Sequence, residues 1–207
     1  MITFQCGGCG RAFNVPDEFA GRKAKCKTCG NQVVVPHPDA AVAPPPPSAP
    51  KLSMRQRRLM ADAQQMSEGF RKSDRIRVKP TGGDPPEVYH VEYRVKSLDR
   101  GTNGEPISRD THLVEIQLTS DYPRLSPKCK MLTPVFHPNI DPATICVGDH
   151  WTAGERLVDL VVRIGEMLAY QAYNIKSPLD GEAAMWADLN VQKLPTDPRS
   201  MRPAELE

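Results

Sequence analysis

The sequence lacks a long hydrophobic run: no stretch approaches the roughly 20 apolar residues that cross a bilayer. It also lacks a charge of one sign. Its formal net charge is only +2, so gross electrostatics do not single out nucleic acid as a partner. The basic-then-apolar opening of a secretory leader is missing too, because Met1–Phe4 leads straight into Cys6. A cytoplasmic protein with no membrane partner is the expectation, and there thiols stay reduced and CxxC pairs hold metal. What the chain does have is 207 residues, 39% of them hydrophobic. That is enough for one ordinary domain and a small module.

Three segments follow from composition. Residues 1–36 are rich in glycine and cysteine. Residues 37–50 carry the run Pro44–Pro47, which fixes φ and removes backbone donors. They read as a semi-rigid linker or as a docking peptide for a proline-recognising domain. Residues 51–195 form the main domain, and 196–207 a tail. The sequence is expected to contain no internal repeat.

The spacing Cys6-x2-Cys9, sixteen residues, Cys26-x2-Cys29 lets two turns converge four thiolates on one tetrahedral zinc, with a hairpin between them. With all four ligands committed the ion is structural. A redox dithiol pair is the competing reading, but it lacks a βαβ context. So small a module cannot bury enough apolar surface to fold alone, and metal binding supplies the deficit. Lys23, Lys25 and Lys27 give the module a basic edge, for nucleic acid, for protein docking or simply for solvent. The segment resembles zinc-ribbon modules common at the start of bacterial proteins, on the pattern Val15-Pro16, Gly21-Arg22-Lys23, Cys26.

In the main domain Leu59, Ala63, Met66 and Phe70 have helical spacing behind Arg55, Arg57 and Arg58. Strands follow: Ile76 and Val78, then Tyr89, Val91, Tyr93 and Val95, then Val114, Ile116 and Leu118, then Cys129 and Met131. Each alternates with polar residues. Asp99–Gly104 supplies a turn. Leu157, Leu160, Val161, Ile164 and Leu168 mark an amphipathic helix, and a last helix is expected over Asp180–Leu189. The order reads as α+β: a helix, a four-stranded antiparallel meander, then helices.

The run Tyr122-Pro-Arg-Leu-Ser-Pro127, His137-Pro-Asn-Ile140, Ile145-Cys-Val147 and Trp151 resembles the ubiquitin-conjugating enzyme (E2) family, over roughly Leu52–Asn190. The resemblance implies a UBC-like fold and an E2 transferase. Cys146 would accept a ubiquitin-like modifier as a thioester from an E1-like activating enzyme and pass it to an amine or a ligase. It implies an oxyanion or loop-shaping role for Asn139 and a mainly structural one for His137. It also makes Arg55, Arg57 and Arg58 candidates for contact with the activating enzyme, a solvated basic helix end being the alternative. Cys129, between two lysines on a strand, is expected in the core and inert. His150 is a candidate base or a solvated loop residue.

Several departures from the family bear on mechanism. The intervals Asn139–Cys146 and Cys146–Trp151 are short, so the active-site loop is expected to be rebuilt. Arg124 stands where an aromatic residue often meets RING-type ligases, and Thr152–Gly154 replaces a Ser-Pro-Ala loop. Ser177 replaces an acidic residue that orients the attacking lysine, leaving that task to Asp180, Asp149 or a partner. A non-catalytic E2-variant adaptor, with the ribbon as a second binding module, is the alternative reading. Such variants generally lack the cysteine.

Overall fold

The computed structural model describes residues 1–37, 52–147 and 151–206. Apart from His37, the proline-rich stretch lies outside them, as do His150 and Asp149. The chain divides into two compact units, Met1–Lys51 and Leu52–Glu207.

The first unit contains a repeat that the sequence reading did not find. β1 (Ile2–Gln5) pairs with β2 (Ala12–Val15), and β3 (Lys23–Lys25) with β4 (Gln32–Val34). Each hairpin turns on its own Cys-x2-Cys-Gly knuckle. The amides of Cys6 and Cys26 donate to the carbonyls of Arg11 and Asn31, and those of Gly10 and Gly30 to the carbonyls of Cys6 and Cys26. Gly10 and Gly30 both have φ +73°, a left-handed conformation that glycine adopts without a Cβ clash. The signal was a period of twenty: Cys6 and Cys26, Cys9 and Cys29, Gly10 and Gly30, Val15-Pro16 and Val35-Pro36. The hairpin expected between the two CxxC pairs is replaced by one hairpin around each. Closing a short local turn costs less entropy than pairing across the spacer.

In the second unit α1 (Met54–Gly69) opens with a capping box in which Ser53 and Gln56 satisfy each other's backbone amides. Leu59 and Met66 face the core. β5 (Ile76–Thr81) and β6 (Val88–Tyr93) come next. β7 (Ser97–Arg100) and β8 (Pro106–Arg109) then form a separate hairpin, so the Asp99–Gly104 turn closes an element additional to the meander. β9 (His112–Gln117) and β10 (Lys128–Met131) complete one antiparallel sheet in the order β10-β9-β6-β5. The alternation holds throughout: Ile76, Tyr89, Val91, Tyr93, Val114, Ile116, Cys129 and Met131 are all buried.

β11 (Ile140–Asp141) and β12 (Thr144–Ile145) make a short hairpin ahead of α2 (Leu157–Leu168). α2 buries Val158 and Val162 as well as the predicted stripe, so it is enclosed on almost every side. Its Gly165 lets Tyr93 pack close, since a Cβ there would meet the ring at 3.2 Å. The Tyr93 hydroxyl donates to the Val161 carbonyl at 2.9 Å. α3 (Gly181–Leu189) follows, capped by Asp180. Residues beyond it continue onto the same unit: Met201 is buried and Arg202 pairs with Asp159 at 2.9 Å. No helix among the described residues is long and apolar enough to cross a membrane.

Candidate active site and metal centre

The His-Pro-Asn segment is a buried turn that carries the cysteine hairpin. His137 is fully buried, and its Nδ1 accepts the Asn139 amide at 3.0 Å. Burial pushes its imidazole down to about 3, so the ring is neutral near pH 7 and holds a turn. The Asn139 carbonyl accepts the Cys146 amide at 3.0 Å, extending the β11–β12 ladder to the cysteine. Ile140 and Ile145 anchor that ladder in the core, while Asp141 Oδ1 accepts the amides of Ala143 and Thr144. This Asp-closed turn accommodates the short Asn139–Cys146 interval.

The Asn139 carboxamide is engaged. Its Nδ2 donates to the Asn174 carbonyl at 2.7 Å and its Oδ1 accepts the Asn174 amide at 2.6 Å. A primary amide has two N–H bonds, so one remains. The Pro138 carbonyl accepts the amides of Leu179 and Asp180 at 2.7 and 3.1 Å. The loop before α3 is thereby tied to the turn on two sides. Asn174 escaped the sequence reading, because a backbone partner 35 residues away has no side-chain signature. Tyr170 escaped it too; its hydroxyl donates to the Phe136 carbonyl at 2.6 Å, next to His137.

Cys146 is half-buried and lines an open groove of about 1010 Å³ with Leu125, Lys128, Trp151 and Leu179. The Trp151 indole donates to the Pro123 carbonyl at 2.9 Å and packs on Tyr122. Cys129 touches the same groove, but it is 5% exposed and burial pushes its thiol up to about 12. Asp180 accepts the Ala183 amide and lies 3.6 Å from Arg100, so its carboxylate already has two tasks. Ser177 is exposed. Arg124 pairs with Asp121 at 2.9 Å.

The three helix arginines separate. Arg58 donates to Asp62, to the Tyr122 hydroxyl and to the carbonyls of Ala153 and Glu155. Arg55 reaches Glu87 and the carbonyls of Leu118 and Thr119. Arg57 is exposed, and among the described residues its side chain bonds only the Leu52 carbonyl.

In the other unit the ligand atoms of Cys6, Cys9, Cys26 and Cys29 all lie within 4.8 Å of one another. The Cys6–Cys29 and Cys9–Cys26 sulfurs are 3.7 Å apart. Bonds of about 2.3 Å to one tetrahedral ion would set sulfurs about 3.8 Å apart. The four thiols therefore fit a single ion. Backbone amides of Cys29 and Thr28 lower the Cys26 thiol, whereas for Cys29 the Asn31 amide is outweighed by Cys9, burial and the other sulfurs, which push it up to about 12; sulfurs this close do not all ionise without a cation among them.

A family model described as ubiquitin-conjugating enzyme matches residues 72–196, more than half of the chain. The chain is 31% identical to ubiquitin-conjugating enzyme E2 21 of Caenorhabditis elegans over 90 residues, covering 38% of this chain and 42% of that protein. It is 31% identical to ubiquitin-conjugating enzyme E2 N of Drosophila melanogaster over 91 residues, covering 42% and 59%. With E2 N of Macaca fascicularis it shares 28% over 135 residues, covering 61% and 86%. The chain thus spans about half the length of the first two relatives. A solved structure titled Novel Ubiquitin-Conjugating Enzyme superposes with a TM-score of 0.52 at 23% identity, over 70% of this chain and 94% of the other; this bears on the fold alone. With the family model spanning the sheet, the cysteine hairpin and both later helices, the chain belongs to the ubiquitin-conjugating enzyme family.

Proposed function

We propose that the protein is an E2 that carries a ubiquitin-like modifier on Cys146. One observation carries the reading: Cys146 stands half-exposed at an open groove, its backbone bonded to the Asn139 carbonyl, whereas Cys129 is sealed in the core. The Cys146 thiolate attacks the thioester carbonyl of the activating enzyme's modifier adduct, and the activating enzyme's thiolate leaves. A lysine amine or a ligase thiolate then attacks the Cys146 thioester. The tetrahedral intermediate collapses, Cys146 departs as thiolate, and an attacking amine releases its proton to solvent or to a partner. The free N–H of Asn139 is the candidate donor to the oxyanion; losing one such donor costs about 2.7–4 kcal/mol of barrier. His137 shapes the turn. Arg57, exposed and tied only to the Leu52 carbonyl among the described residues, is the leading contact for the activating enzyme, ahead of Arg55 and Arg58.

Residues 1–36 are a structural zinc ribbon holding one ion through Cys6, Cys9, Cys26 and Cys29, joined by residues 37–50 to the conjugating domain. Its cysteines, none of them in a disulfide, suit a reducing cytoplasm, and its resemblance to bacterial ribbons suits a prokaryotic conjugation system.

Incubation with the activating enzyme, modifier and ATP of the same system is expected to give an adduct released by thiol reductant. Cys146→Ala abolishes it and Cys129→Ala leaves it. No adduct with the cognate pair sinks the proposal. A second reading, a non-catalytic adaptor, draws on the double engagement of the Asn139 amide with Asn174. It predicts that Cys146 resists iodoacetamide in the folded protein as Cys129 does.

A further inference from the structure

We propose that the cavity between the second half of α1 and β5 binds a small organic anion with an apolar body. The cavity holds about 540 Å³, within the range of pockets for metabolite-sized ligands. About half of its wall is hydrocarbon, from Ala63, Met66 and Phe70 on the helix side and Val78 on β5, and the rest is polar. Arg71 and Arg77 stand at its edge, exposed, and neither makes an ion pair or a side-chain hydrogen bond among the described residues. Lys72, also at the edge, is 3.7 Å from Glu205.

The second observation is Tyr89. Four tyrosines are buried. The hydroxyls of Tyr93, Tyr122 and Tyr170 donate to the Val161 carbonyl, Asp62 and the Phe136 carbonyl. Tyr89 is 1% exposed and lines the cavity, and its buried hydroxyl has no partner among the described residues. A buried polar group without a partner is uncommon and calls for one. Burial pushes the phenol up to about 12, so it remains a donor. Two guanidinium groups unpaired among the described residues, a wall half of hydrocarbon, and an unpaired O–H buried behind that wall together describe a ligand that is acidic at one end, apolar in its body and an acceptor where it presses on Tyr89.

Edge protection explains only part of this. β5 is the outer strand of its sheet, where lysine and proline discourage pairing with another chain. Lys79 and Pro80 fit that role. Arg71 lies just beyond the helix and guards no strand. The cavity shares no lining residue with the Cys146 groove, so its occupancy is independent of the thioester reading.

Titration of the full, metal-loaded chain with anilinonaphthalene sulfonate tests the site. A saturable one-to-one rise in emission is expected, competed by naphthoate and not by naphthylamine. Replacing both Arg71→Ala and Arg77→Ala should weaken binding at least about tenfold, as loss of charge-assisted contacts implies. Tyr89→Phe should weaken it by a smaller factor, and Ala63→Phe should block it by filling the cavity. Near-ultraviolet circular dichroism checks that each variant stays folded. Equal competition by naphthylamine, binding that ignores both the arginine and Ala63 changes, or no saturable binding by the folded wild type overturns the proposal.

Discussion

Residues 1–37 bury four hydrophobic residues, Ile2, Cys6, Cys26 and Val35, and two of the four are sulfur donors. The conjugating unit buries a continuous core from Leu59 and Ile76 through Val114 and Ile116 to Leu157, Leu160 and Ile164. Antiparallel pairing runs through both units, and the larger adds α1, α2 and α3. What separates them most is the source of folding free energy. In the larger unit apolar burial at about 25 cal/mol per Å² opposes chain entropy. The smaller one buries little hydrocarbon, and in the proposed reading sulfur–metal bonds supply its stability.

The sharpest way to break this contrast is to remove the metal. Chelation, or Cys26→Ser, should unfold residues 1–37 completely, because apparent zinc affinities of about 10–16 kcal/mol are folding free energy in such modules. Nuclear magnetic resonance should show ribbon signals collapsing to random-coil positions while those of the sheet in residues 76–131 hold. A ribbon that stays dispersed without metal would show a hydrocarbon contribution that its burial does not suggest.

The next largest effect belongs to the other unit. Leu160 on α2 is fully buried, and Leu160→Ala should cost about 2–5 kcal/mol through lost transfer energy and a residual cavity. Urea denaturation of the variant reads this directly. Chelator should leave that difference unchanged.

How much of each unit was legible in the sequence follows the same physics. The sheet strands and α2 could be read because burial on one face imposes a period, two at Tyr89, Val91 and Tyr93, and helical at Leu157, Leu160, Val161 and Ile164. The four sulfurs could be read because a tetrahedral ion fixes ligand spacing. The β7–β8 hairpin was read only as a turn, since Leu98 alone of its apolar residues is deeply buried while Ile107 is half exposed. The cysteine hairpin, the Asn139–Asn174 clasp and the Tyr170–Phe136 bond depend on backbone groups. Every residue carries those groups, so no residue type announces them.

His137 gives a pH-dependent test confined to the conjugating unit. Its folded-state value of about 3 lies below the ordinary value of 6.5, so between these limits the unfolded chain binds the extra proton. Stability must therefore rise with pH across this window, and fall as pH drops below about 6.5. At pH 5 the loss from this group is roughly 2 kcal/mol, taking about 1.4 kcal/mol per unit. Denaturation midpoints at pH 7.5 and pH 5 should diverge in the wild type and lie closer together in His137→Gln. His112, held down by its own burial, sets a residual slope that survives in the variant.

The smallest effect concerns the end of the loop beside the groove. Asp180 caps α3 by accepting the Ala183 amide at 2.9 Å, and its other oxygen lies 3.6 Å from Arg100 of the β7–β8 hairpin. Asp180→Ala removes both contacts. Loss of such a cap costs about 1 kcal/mol, and the partly exposed ion pair adds at most about 1. Arg100→Ala should cost less: its contacts to Asp180, Glu182 and the Phe136 ring are made by a side chain 42% exposed, where each is worth a fraction of a kcal/mol, and the cap is kept. Thermal unfolding should rank Asp180→Ala below Arg100→Ala. The reverse order would mean that the hairpin, and not the cap, holds the start of α3. The loop tied to the Pro138 carbonyl would then take its position from β7, an element that adds no residue to the main sheet.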